Sequence, residues 1–143
     1  MISKLTKSAL IAVLTLTVLT AIPQLMFAED AASKPAPIER LTINWNINLT
    51  GPVFNGMQPV GAAEYEVEGA RRRFSAEADN VNLVDGSVLT VYVAGKSVGT
   101  FSLTDGGGVL LLDTFAHQRV PVINKGTTVA IYYGGTKLLS GNF

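Results

Sequence analysis

From Leu41 to Thr50 apolar and polar residues alternate without a miss. Leu41, Ile43, Trp45, Ile47 and Leu49 stand against Thr42, Asn44, Asn46, Asn48 and Thr50. A helix face repeats every 3.6 residues and a strand every two, so this stretch must be a strand with one side on a core and the other in water. Trp45 belongs to the apolar set and is expected in that core, not on a ligand-stacking surface.

The next readable unit is a hairpin. Ala63, Tyr65 and Val67 alternate with Glu64, Glu66 and Glu68; Gly69-Ala70 follows, then Arg71–Asp79. Gly at the first loop position suits a two-residue type II′ turn. That register sets Glu68 opposite Arg71, Glu66 opposite Arg73 and Tyr65 opposite Phe74. Arg71-Arg72-Arg73 therefore reads as a register device, paired with carboxylates across the strand, and not as an anion site. Gly51–Gly61, with Pro52, Asn55-Gly56 and Pro59, is expected to be a loop or a broken edge strand.

The centre of the chain, Asn80 to Leu112, carries three apolar runs: Val88–Val93, Val98–Leu103 and Val109–Leu112. Breaks at Gly95 and at Gly106-Gly107-Gly108 separate them, and they read as consecutive strands of an antiparallel meander. An odd-length loop around Gly95 puts Leu89, Val91, Val93, Phe101 and Leu103 on one face and leaves Tyr92 on the other. The continuous run Val109–Leu112 is expected to be covered on both faces. After an irregular crossing, with a short extended piece at Val120–Ile123, a last hairpin runs through Val129–Tyr133, Gly134-Gly135 and Thr136–Asn142. The inner layer is expected to hold Ile43, Trp45, Ile47, Tyr65, Val67, Phe74, Val91, Phe101, Leu103, Leu111, Val129, Ile131 and Leu138.

Reactive groups are scarce. The chain has 143 residues, no Cys and one His, and equal numbers of basic and acidic side chains. The missing cysteines exclude a disulfide framework and a thiolate-ligated zinc. Zero net charge argues against nucleic acid or an anionic membrane as partner. His117 has no second His or Cys near it in sequence, and none of the serines sits in a nucleophile setting such as G-x-S-x-G. Asp79, Asn80, Asn82 and Asp85 are oxygen ligands by type, but Val81 interrupts a calcium-loop spacing and turn chemistry accounts for them. Gly106–Gly108 lacks the G-K-[ST] and the helix of a phosphate loop. No catalytic, metal-binding or cofactor-binding residue is expected, and the chain reads as a non-enzyme.

Residues 1–28 read as a secretory signal: Lys4 and Lys7, then the apolar stretch Ser8–Ile22, Pro23, and Ala28 before Glu29. The apolar stretch, about 15 residues, is short of the roughly 20 a spanning helix needs. Its removal leaves nine Lys+Arg against eleven Asp+Glu, a net charge of −2. Glu29–Arg40 is expected to be a flexible leader and residues 41–143 a single domain.

The order LTG (49–51), G-x-A-x-Y-x-V (61–67), RRRF (71–74), NVNLVDGSVL (80–89), V-x-G-K-x-V-G (93–99), LLLDT (110–114) and LSGNF (139–143) resembles small secreted bacterial all-β domains. LTG followed by G-A-A-E-Y is similar to the CHRD domain, whose A-H-I-H element is missing. The resemblance implies export and a sandwich and transfers no catalytic or metal-binding residue.

The expected fold is thus all-β, a single antiparallel sandwich of about seven to nine short strands, Ig-like in a loose sense. The expected function is that of an exported, non-catalytic module, secreted, periplasmic or at the cell surface. It would bind a protein or polymer, or build the envelope or matrix. An alternative is a carbohydrate-binding module stacking sugars on Tyr92, Tyr132 or Tyr133. A small outer-membrane barrel is the remaining reading; stable membrane insertion of the mature domain is not expected.

Overall fold

The computed structural model describes Arg40 and Thr42–Phe143. The expected signal and, but for Arg40, the expected leader fall on residues 1–39, and Leu41 opens the alternating run; residues 1–39 and 41 lie outside the described residues. The rest forms eight antiparallel strands: β1 (Thr42–Thr50), β2 (Val60–Glu68), β3 (Arg71–Asp79), β4 (Val88–Val93), β5 (Lys96–Ser102), β6 (Gly108–Asp113), β7 (Thr128–Tyr133) and β8 (Thr136–Asn142). They join in one nearly closed sheet of order β5-β4-β7-β8-β1-β2-β3-β6. Within it two blocks of four strands, β5-β4-β7-β8 and β1-β2-β3-β6, share a single ladder pair, Thr50 with Ser140.

Alternation produces the β1-β2-β3-β6 block. β1 pairs with β2, and β2 with β3, over all nine residues without a register shift. The hairpin register is the expected one: Glu68 faces Arg71, Glu66 faces Arg73 and Tyr65 faces Phe74. Gly69 takes φ 58° while Ala70 stays out of the positive region, as a type II′ turn requires. Ala63, Tyr65, Val67, Phe74, Ala76 and Ala78 point inward and are buried. Val60 and Gly61 belong to β2, a central strand, so the loop expected over Gly51–Gly61 ends at Pro59.

In the β5-β4-β7-β8 block β4 and β5 turn through Ala94 and Gly95, both at positive φ (49° and 75°), as a two-residue type I′ turn demands. The loop is therefore even, not odd. A bulge beside Val91/Tyr92 then shifts the register by one, so Leu89 still faces Phe101 and the expected faces survive. The last hairpin repeats the device: Gly134-Gly135 turn, then a shift between Ile131 and Tyr132. That extra residue lets two neighbours, Leu138 and Leu139, both bury.

The meander expectation fails at its third strand. β6 pairs with β3, not with β5. β5 and β6 leave the Thr104–Gly107 turn as the two ends of the sheet. They meet by packing: Leu110 lies so close to Gly99 that a Cβ there would come within 2.9 Å of its Cδ1. Nor is Val109–Leu112 covered on both faces. Leu110 and Leu112 are buried, whereas Val109 and Leu111 are each 54% exposed, which removes Leu111 from the expected core. Val120 and Ile123 bury their side chains, but that segment is not a strand. Ile43, Trp45 and Ile47 face inward yet stay half-buried, against 1% exposure for Leu49 at the other end of β1.

Candidate functional site

Of the three tyrosines singled out in the sequence, pairing brings two together. β4 and β7 are neighbours, with Tyr92 opposite Ala130 and Thr90 opposite Tyr132. Tyr92 and Tyr132 are thus diagonal neighbours on the outer face, within reach for aromatic side chains. Their rings lie 5.0 Å apart, centroid to centroid, inclined at 66°. That is an edge-to-face pair, which gives no flat platform. Both rings are half-buried, and Ala130 beneath them is buried. Tyr133 points the other way and packs against the core cluster.

The β7–β8 bulge completes the surroundings. It sets Lys137 opposite Tyr132 and sends Leu138 inward. Tyr92, Tyr132, Thr128, Ala130, Lys137 and Ser140 line a cleft of about 420 Å³ with Gly95 and Gly135 at its turn ends. Aromatic carbon, four hydroxyls (Thr128, Ser140 and the two phenols) and one ammonium can offer stacking and hydrogen bonds to a hydroxyl-bearing ligand.

A second cluster lies on the outer face of β2, β3 and β6. Arg71 donates from Nε to Asp113 Oδ2 at 3.1 Å and from its terminal nitrogen at 2.5 Å, and Arg73 donates to Glu66 at 2.8 Å. Arg73 also stands 3.8 Å from Asp113. The Arg71 hydrogen bond, with one from the Phe115 N–H, holds the Asp113 carboxyl below its ordinary range. The same bond raises Arg71. The Arg71 guanidinium sits 5.3 Å from the centroid of the exposed Phe115 ring. Two cations and two anions, Arg71 and Arg73 with Asp113 and Glu66, neutralise one another here. Arg71 takes its partner from β6 and not from Glu68, which instead stands 3.9 Å from Arg40. Nothing local in sequence announces that β6 lies beside β3.

The remaining polar candidates serve the loops. Asn55 and Asn82 each donate to the other's carbonyl, at 3.0 and 2.6 Å, and Asn80 donates to Gln58 O at 2.7 Å. Asp85 accepts from the Asp105 N–H at 2.9 Å. These bonds tie separate loops to one another and are not the local side-chain turns the sequence led one to expect. His117 is an exposed left-handed cap (φ 59°) closing the 3-10 turn Thr114–Ala116. Among the described residues no three His, Cys, Asp or Glu side chains converge on one point, and no helix is long and apolar enough to cross a membrane. No family model, curated protein or solved structure matches the chain.

Proposed function

We infer that this chain is an exported, non-catalytic β-module whose two four-stranded blocks act as the facing layers of a sandwich, Ig-like in the loose sense. It serves as a binding or structural component of an envelope or matrix, in the manner of the small secreted domains it resembles. Support for the sandwich comes from the single pair joining the blocks, which is where one layer would give way to the next. Export rests on the amino-terminal signal pattern. Amino-terminal sequencing of the protein recovered outside the cytoplasm should begin at or shortly after Glu29; a chain still carrying Met1 would remove this part of the reading.

The ligand reading rests on one observation: two tyrosines share an outer face over a small residue, beside a lysine and two hydroxyls. That favours a carbohydrate chain, one sugar ring against a tyrosine face and its hydroxyls towards Lys137 and Ser140. Migration through gels containing soluble polysaccharides tests it. Tyr92→Ala and Tyr132→Ala should each weaken retardation by about tenfold, the loss expected of a central aromatic contact, while Ser75→Ala on the opposite block should not. Unretarded wild-type protein on every glycan would sink the carbohydrate reading and leave the protein-partner reading. The latter fails if crosslinking in envelope fractions recovers no partner.

An outer-membrane barrel needs an apolar band facing lipid. Here the outward rows hold Asn44, Asn46, Glu64, Glu66 and Arg73. Solubility of the mature domain without detergent separates the readings.

A further inference from the structure

We propose that the open edge of β1 pairs antiparallel with β1 of a second copy of this chain, about a two-fold axis at Trp45. This goes beyond the ligand reading and uses the opposite block.

β1 is satisfied on one side only. All nine of its residues pair with β2, while towards β8 only Thr50 has a ladder partner. Among the described residues Thr42–Leu49 have no ladder partner on that side. The cause is a crossing. At Gly141 the β8 backbone passes so near β1 that a Cβ would stand 2.7 Å from Asn48 O. Beyond that point the strands part, and a cleft of about 460 Å³ opens between Asn44–Ile47 on one wall and Lys125 and Phe143 on the other. Trp45 sits at its mouth, half-buried, 6.2 Å from the Tyr65 ring and 6.4 Å from that of Phe143. An edge of this kind presents unpaired N–H and C=O groups to any strand of matching pattern.

Free edges are ordinarily protected by charge, Pro, a bulge or shortness. β5 has Lys96 and a bulge, and β6 is six residues long. β1 has none of these: nine residues, TINWNINLT, uncharged and unbulged. What distinguishes it is symmetry. Leu-Thr-Ile-Asn-Trp-Asn-Ile-Asn-Leu, residues 41–49, reads the same in both directions except that Thr42 stands where Asn48 does. Antiparallel pairing about Trp45 therefore sets Ile43 against Ile47, Asn44 against Asn46 and Trp45 against its own copy. Across Ile43–Ile47 every apolar residue meets an apolar one, each Asn meets an Asn, and no charge meets its like. That is the self-complementarity an isologous two-fold contact requires. The occupant that matches this edge is the edge itself.

Two exposed positions allow a test that leaves the core alone. Asn44→Lys with Asn46→Lys puts lysine opposite lysine twice across the axis; Asn44→Glu with Asn46→Glu does the same with glutamate. Sedimentation should give the wild-type chain twice its monomer mass, with both double variants monomeric. An equimolar mixture of the two variants should restore the doubled mass. Trp45 is the sole tryptophan, so wild-type emission should shift to the blue as concentration rises, and that of the lysine variant should not. The dissociation constant of each variant should rise on the order of tenfold or more, as like charges directly opposed predict. A wild-type chain that stays monomeric up to about 1 mM, the limit of weak pairing, would overturn the proposal. So would a dimer untouched by both variants, or a mixture that stays monomeric.

Discussion

The two blocks of the sheet hold their register by different means. In β1-β2-β3-β6 side chains do it: long alternating strands, no bulge, and Glu66, Arg71, Arg73 and Asp113 locked across the outer face. In β5-β4-β7-β8 the turns do it: a two-residue turn in each hairpin, then one bulge that returns the apolar residues to the inside. A strand of nine alternating residues cannot slip without turning its apolar set into water. A strand of six or seven with Gly and Thr in it needs the turn to choose for it. The regions also differ in what their outer faces offer. The first presents neutralised ion pairs; the second presents an aromatic pair in a cleft.

Because both blocks fill one interior, the sharpest blow falls equally on either. Phe74→Ala, at a position with no exposure in β3, should cost about 3–5 kcal/mol, and Ile131→Ala, equally buried in β7, about 2–5. Urea unfolding followed by tryptophan emission and by far-ultraviolet dichroism should give coincident transitions for both. Separate transitions would make the blocks independent units.

The contact where β5 meets β6 should be less tolerant than the opening between β1 and β8. A Cβ on Gly108 would come within 2.6 Å of the Phe101 ring and 2.8 Å of Ser102 O. Gly108→Ala should therefore destabilise by about 1–3 kcal/mol. Asn46→Ala, exposed on β1, should stay within about 0.5 kcal/mol.

Charge should matter in the first block alone. Asp113 has a folded-state pKa below its ordinary 3.8, so it binds its proton less readily folded than unfolded. The stability this contributes is fully present above that ordinary value and is lost as pH falls through the lowered folded one. Asp113→Asn should lower the urea midpoint at pH 6, and the gap to wild type should close in strong acid. A gap that persists unchanged to pH 2 would assign the loss to packing.

The smallest effect belongs to the turn of the second block. Ala94 is held at φ 49° where the sister hairpin has Gly134 at φ 53°. Ala94→Gly should stabilise by about 0.5–1 kcal/mol, relief of left-handed strain exceeding the entropy cost of glycine. The same thermal or urea midpoints report it.

Legibility follows the same division. The faces of β1, the β2–β3 register to the residue, and the inward set Leu89, Val91, Val93, Phe101 and Leu103 are readable because alternation is a local property. The partner of β6 is not, because Leu110-Leu111-Leu112 has no period and pairing across the sheet leaves no mark in neighbouring residues. For the same reason Asp113 does not declare itself as the partner of Arg71. Tyr92 and Tyr132 are recognisable as candidates one by one. Their meeting depends on β4 lying beside β7 and on a bulge that a run such as Thr136–Asn142 does not advertise.

Between β1 and β8 the two blocks share one ladder pair, Thr50 with Ser140. Amide hydrogen exchange along Thr42–Leu49, measured at a concentration where the chain is monomeric, tests this most directly. With β2 as the only partner, every second amide should be protected and those between should exchange as if in water. Uniform protection along the strand would mean that β8 pairs with it throughout, and the open edge would not exist.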